Sequence, residues 1–243
     1  MRFRRIVMAT LATLLVVGTV SALTVLRRPA LAGTGGIDPA DFTSPVANPY
    51  FPLKVGMALH YRGSEDREHF RERVAITNQT KSIQGVTTTV VLDVLRRADD
   101  GTIAEKTHDW YADDNVGNVW YFGERTATYT RRGHVISREG SWLAGTNGAV
   151  AGTIMPANPH PTDAYRQEFL RGAAEDQAWI VQRSAHVNLP HRRLDHVVRS
   201  FEWTKLEPDV LSMKFYGRGL GIVSERDVAG GTEIFRLVSV THA

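Results

Sequence analysis

His69-Phe70-Arg71-Glu72-Arg73-Val74-Ala75-Ile76-Thr77-Asn78-Gln79-Thr80 and, beyond a tight turn at Gln84-Gly85, Val86-Thr87-Thr88-Thr89-Val90-Val91-Leu92-Asp93-Val94-Leu95-Arg96-Arg97 set the texture of this chain. In the first run Phe70, Glu72, Val74 and Ile76 recur at every second position. In the second, Thr88, Val90, Leu92 and Val94 do the same. A period of two puts alternate residues on opposite faces of a strand. Val, Ile and Thr suit the pleated backbone, and Gly after the first run supplies a turn. The pair reads as a β-hairpin.

The same texture extends in both directions. Met57 to Glu65 reads as a strand before the hairpin. Asp99-Asp100-Gly101 turns the chain into Ile103–Ala112, and Asp113 to Gly117 turns it again into Asn118–Arg125. Thr126–Thr130 and His134–Glu139 are expected to pair across Arg131-Arg132-Gly133. Ala144–Pro161, rich in Gly, Pro and Asn, reads as a long loop. Ala164–Arg171, Gln177–Asn188, Leu194–Leu206, Val210–Tyr216, Gly221–Val228 and Thr232–Thr241 complete the series. No segment after the first 52 residues sustains a 3.6 period with caps. The expectation is an all-β antiparallel meander, either a strongly curved sheet or an up-and-down barrel of the lipocalin-like kind. Closing a sheet of this size on itself disposes of its edges.

The chain opens differently. Arg2, Arg4 and Arg5 precede an uncharged run from Ile6 to Leu26, and Arg27-Arg28 and Ala30-Leu31-Ala32 follow. A basic start, an apolar stretch and small residues at a cleavage position are the parts of an export signal. The run is also about long enough to span a bilayer as a hydrophobic helix. Two fates stay open, cleavage after Ala32 or retention of residues 1–32 as a membrane anchor. Either one predicts an extracytoplasmic protein, secreted or held at the cell membrane through this helix. Residues 33–52 read as a linker and residues 53–243 as the β-domain.

This opening segment carries five of the 29 basic residues and none of the 26 acidic ones. The remainder therefore has 24 basic against 26 acidic residues, so the pI near 9.3 describes the opening, not the domain. Without a basic surplus there is no charge argument for a nucleic-acid partner. Cysteine is absent, so no disulfide, thiolate metal site or lipid-modified Cys is expected. The nine histidines are scattered, with no H-x-H or HExxH spacing. No Walker, Rossmann or G-x-S-x-G pattern occurs. No cofactor and no metal are expected.

The candidate site residues follow from strand alternation. Asp109 and Tyr111 face one way and His108 and Trp110 the other; Tyr121 opposes Trp120 and Phe122. Each strand thus carries large aromatics on both faces, one set suited to core and the other to a cavity wall. Glu139 and Trp142 flank a turn. Alternation puts Arg166 and Glu168 on one face, and Lys214 and Tyr216 on one face. If inward, these charges need partners. The expected ligand-binding set is Asp109, Tyr111, Tyr121, Glu139, Trp142, Arg166, Glu168, Lys214 and Tyr216. Glu168, Glu202 and Tyr216 are the candidates for acid–base chemistry.

Several segments together, Asn48-Pro49-Tyr50-Phe51-Pro52-Leu53, His108 to Ala112, Gly117 to Glu124, Met155 to Pro159, Tyr165 to Glu168 and Lys214 to Val223, resemble a family of exported, uncharacterised bacterial all-β domains. The resemblance implies an exported β-domain and brings no activity with it. In shape the chain is loosely similar to lipocalin-like barrels, including the barrel cyclases of polyketide pathways, and a shared fold does not fix function. Three readings follow: a barrel that binds a small, partly apolar or amphipathic molecule, a cyclase acting on a polyene or polyether precursor, and a non-catalytic protein of the cell envelope.

Overall fold

The structure is a computed structural model and describes residues 36–243. The hydrophobic helix expected over residues 6–26, and the export or anchor reading that goes with it, lie outside the described residues. Among the described residues fifteen strands form one antiparallel sheet. They are β1 (Met57–Glu65), β2 (Glu68–Ile83), β3 (Val86–Arg97), β4 (Ile103–Asp113), β5 (Val119–Tyr129), β6 (Val135–Ser137), β7 (Trp142–Leu143) and β8 (Val150–Met155). Then come β9 (Ala164–Arg166), β10 (Glu168–Phe169), β11 (Asp176–Asn188), β12 (Arg193–Thr204), β13 (Leu211–Gly217), β14 (Gly221–Ala229) and β15 (Ile234–His242). Among the described residues the one helical element is a 3-10 turn, Pro39–Phe42, capped by the Asp38 side chain.

The sheet consists of two meanders. β1 to β5 pair in sequence order, β11 to β15 do likewise, and β1 pairs with β15 to join them. Beyond β5 the path continues through β8 to β10, and beyond β11 it reaches β9. β9 and β10 are the two halves of one short segment, so this segment touches both edges of the sheet. Arg166 sits opposite Gln177 on one side, and Glu168 sits opposite Ala151 on the other. Between them the Gln167 amide donates to the Asp176 carbonyl at 2.8 Å. The sheet thereby becomes a nearly closed barrel whose edges are covered. Its path carries thirteen strand segments, against the eight of a lipocalin.

Closure demands a close backbone approach at Gly152. A Cβ there would lie 2.5 Å from the Gln167 carbonyl oxygen and 2.6 Å from that of Arg166. Only a hydrogen fits without displacing the closing segment.

Most strands lie within a few residues of their expected places. The Ala144–Pro161 stretch differs, since it contains β8, whose Val119↔Met155 and Tyr121↔Gly152 pairings place it on β5. Its Gly and Ala content hides a strand that is defined by what it pairs with, not by propensity. Thr126–Thr130 is not a separate strand but the end of β5.

The residues before β1 pack on one end of the barrel. Asn48 is 1% exposed. Its amide nitrogen donates to the carbonyls of Gly117 (2.7 Å) and Pro156 (3.0 Å), and its side-chain oxygen accepts from the Tyr50 and Phe51 amides. The Gly219 amide donates to the Pro49 carbonyl. Gly117 lies in the β4–β5 turn and Gly219 in the β13–β14 turn, so residues 48–53 lie across that end as a plug. Outside the barrel, Phe42 meets Trp120 and Phe122 edge-on, and Lys81 covers the Trp110 ring at 3.6 Å.

Candidate functional site

Beneath the plug lies a cavity of about 80 Å³. Phe51, Pro52 and Leu53 roof it. Leu59, Tyr61, Val74, Ile76, Val91, Tyr111, Ile154, Ile222 and Phe235 supply apolar and aromatic wall, and Glu72, Asp93, Asp109, Tyr216 and Glu225 supply polar groups. Walls of this mixed kind suit a small guest.

The register explains how these side chains meet. Leu59 sits opposite Val74 and Tyr61 opposite Glu72. Val74 sits opposite Asp93 and Ile76 opposite Val91. Val91 in turn sits opposite Asp109. Directly opposed residues share a face of the sheet, so one stripe of inward positions runs across β1 to β4. On β5 a bulge intervenes: Tyr111 is opposite Tyr121, whereas Trp110 is opposite Gly123 and Asp109 opposite Glu124. The extra residue, Phe122, re-phases the strand, so Tyr121 and Glu124 both turn inward despite their odd spacing. Tyr111 and Tyr121 stack at 4.6 Å between centroids, and Trp142 meets Tyr121 edge-on at 5.2 Å.

The interior is strongly acidic. Asp93, Glu105, Asp109, Glu168, Glu202, Glu225 and Glu233 are all buried. Glu72 and Val74 keep part of their surface, and that surface faces the cavity. Burial pushes the carboxyls of Glu72, Asp93 and Glu124 up from the ordinary range, and neighbouring carboxylates push the Asp93 and Glu124 values further. Burial also raises Asp109 to about 7, against the lowering effect of the Tyr121 hydroxyl. Glu105 is raised by burial to about 8, although Thr107 bonds it. Desolvation penalises the charged form, so these acids carry protons more readily than exposed ones do.

Lys214 is the exception in sign. Its Nζ lies 3.1 Å from Glu202 Oε2 and 3.1 Å from Glu225 Oε1, although the latter contact lacks hydrogen-bond geometry. Burial pulls the ammonium pKa down, but these two carboxylates outweigh it and hold Lys214 charged. Glu202 is drawn below the usual carboxylate range: burial opposes this, while Lys214 and hydrogen bonds from Tyr216 and Ser200 overcome it. The Tyr216 and Ser200 hydroxyls donate to Glu202 Oε1 at 2.6 and 2.8 Å, and the Gln167 amide donates to Oε2 at 3.2 Å. These contacts favour the ionised carboxylate and fix its position.

Of the residues read from the sequence, Asp109, Tyr111 and Tyr216 line the cavity. Tyr121, Trp142, Glu168, Glu202 and Lys214 are buried around it. Glu139 and Arg166 lie at the surface and do not join them. Arg166 parts from Glu168 because the chain changes partner at Gln167, so strict alternation ends there. The Arg166 guanidinium instead covers the Phe169 ring at 4.3 Å. Sequence reasoning missed Tyr61, Glu72, Asp93 and Glu225. For the three acids the signal was a carboxylate at an every-second position, as in Val91-Leu92-Asp93-Val94-Leu95, where Val91, Asp93 and Leu95 are the buried set.

The Asp113–Asn118 turn holds itself. Asp114 Oδ1 accepts from the Val116 and Asn118 amides, and Oδ2 accepts from Asn118 Nδ2 and Trp120 Nε1. Among the described residues no group of three His, Asp or Glu side chains converges as metal ligands would.

No protein-family model matches the chain, and no curated protein matches it. Among solved structures the chain is similar to a protein from Bacteroides fragilis NCTC 9343 named only as exported, with a YmcC-like fold. The TM-score is 0.46 and the identity 12%, over 80% of this chain and 100% of that one. It is likewise similar to a protein from Parabacteroides distasonis ATCC 8503 named as a lipoprotein. There the TM-score is 0.46 and the identity 10%, over 81% of this chain and 100% of the other.

Proposed function

We propose that this chain is a binding protein of the extracytoplasmic space, secreted or tethered through its first 32 residues, that holds a small guest in its barrel. The observation that carries the reading is the cavity under Phe51, Pro52 and Leu53. A barrel built only for rigidity fills its centre with packed side chains. Here the centre keeps space, lined by apolar side chains together with carboxyl and hydroxyl groups. The arginine-flanked apolar run from Ile6 to Leu26 supports the placement outside the cytoplasm.

Native mass spectrometry of the full chain, isolated from its producing cells without denaturation, tests the reading. Wild type is expected to carry a guest that collisional activation strips off. Val91→Phe, which fills the cavity, is expected to carry none. Bare chain in both preparations, with no uptake from a small-molecule extract, would overturn the proposal.

A further inference from the structure

Among the described residues the cavity lining is unbalanced: Glu72, Asp93, Asp109 and Glu225 line it, and no basic side chain does. Lys214, buried nearby, is already committed to Glu202 and Glu225. Asp93 is 1% exposed, and neither of its carboxyl oxygens meets a donor other than the Glu72 carboxyl, an acid beside an acid. Asp109 Oδ2 is buried and unpartnered, although Oδ1 accepts from Tyr121. Buried polar atoms are nearly always partnered in folded proteins. Asp109 with one oxygen unpartnered, and Asp93 with only another acid for a partner, both on one small cavity, are what a missing donor leaves behind.

The donor that fits is a cation with an apolar body. Its charge would answer Asp93, Glu72 and Asp109. The Tyr61, Tyr111 and Phe235 rings around them offer π faces, which attract ammonium groups. A bare metal ion fits poorly, because among the described residues no three acidic or His side chains converge as ligands. A single water needs about 10–15 Å³ of such space. The roughly 80 Å³ available therefore suits a body of about one ring or a short alkyl chain.

We infer that the guest is a small organic cation, an ammonium on a compact apolar or aromatic body, whose charge sits against Asp93, Glu72 and Asp109. This rests on the ligand-holding reading above and narrows it to one chemical class. A consequence is proton release. The groups that face Asp93 across the cavity are Tyr61 on β1, Glu72 on β2, Glu105 and Asp109 on β4, and Glu225 and Lys214 from the far wall. Burial and mutual repulsion favour the protonated acids in the empty barrel. An arriving cation favours their ionised forms, so binding must expel protons.

Isothermal calorimetry on the full chain tests this with benzylamine, the neutral isostere benzyl alcohol, and the anion phenylacetate. Benzylamine is expected to bind at least about tenfold more tightly than benzyl alcohol, the margin of one charge-assisted hydrogen bond, and phenylacetate not at all. At neutral pH the benzylamine heat should differ between phosphate and Tris, reporting released protons. Asp93→Asn should weaken benzylamine about tenfold and leave benzyl alcohol within about twofold. Glu72→Gln serves if that variant does not fold. Equal binding of amine and alcohol would overturn the cation assignment while leaving the guest reading in place. Binding of none of the three would overturn both.

Discussion

The Tyr121 hydroxyl donates to Asp109 Oδ1 at 2.7 Å from the neighbouring strand, while Oδ2 of the same carboxyl stays buried without a partner. That hydrogen bond sets what this carboxyl can do. Removing it in Tyr121→Phe leaves a buried carboxyl with no donor, at a cost of about 1–3 kcal/mol. Urea denaturation at about pH 8, where Asp109 is largely ionised, should show the loss. Asp109→Asn keeps an acceptor for Tyr121 and cannot ionise, so it should lose less than Tyr121→Phe at that pH.

Stability should fall as pH rises through neutrality. Burial raises Asp109 to about 7 and Glu105 to about 8, whereas unfolded carboxyls titrate near about 4. Between those limits the folded chain binds more protons than the unfolded chain, so raising the pH favours unfolding. The stabilisation is full below the unfolded values and lost as pH climbs through about 7 to 8. A higher thermal midpoint at about pH 5 than at about pH 8 is expected, and Glu105→Gln should flatten the profile. Glu202 has the opposite sign. Its depressed pKa gives stability that is present above the ordinary carboxylate range and lost as pH falls below it.

The Lys214–Glu202 pair should be costly to break and cheap to replace whole. Both side chains are almost fully buried, 3.1 Å apart. Lys214→Met strands two carboxylates and should cost about 3–5 kcal/mol in chemical denaturation. Adding Glu202→Gln and Glu225→Gln to that variant removes the stranded charges and should recover a substantial part of the loss.

Barrel closure should depend on Gly152. Gly152→Val must push β8 away from the closing segment, because a Cβ there already meets two carbonyl oxygens. Hydrogen exchange of the Gln167 and Glu168 amides is expected to speed up, with exchange in β2 and β3 unchanged. Protection at both positions equal to wild type would mean that the closure does not rest on this approach.

Asn48 holds the plug. Asn48→Ala loses donors to the Gly117 and Pro156 carbonyls and the acceptor for Tyr50 and Phe51. Each buried group left unpaired costs about 1–3 kcal/mol, and a fall in thermal midpoint is expected, together with faster exchange at the Tyr50 and Phe51 amides.

The β-pattern was legible because Val, Thr and Ile at a period of two report a half-buried pleat wherever it occurs. β1 and β3 match their expected limits for that reason. β8 was hidden because Gly152 and Ala151 are there to let backbones approach, and small residues look like loop. The site was legible only in part. Asp109 and Tyr111 come inward together because no bulge separates them on β4, whereas Tyr121 and Glu124 do so only through the bulge at Phe122, which one strand's sequence does not announce. On β3 the apolar Leu92 and Val94 are half-buried outside while Asp93 goes in. A rule that sends apolar residues inward selects the wrong face wherever the interior is built to be acidic.

An experimental structure of the full chain, isolated with whatever it binds, tests most directly whether the barrel keeps an occupied centre. The account predicts non-protein density under Phe51 and Leu53, within hydrogen-bond distance of Asp93. Side chains of Tyr61, Glu72 and Tyr111 closed together with no space between them would contradict it.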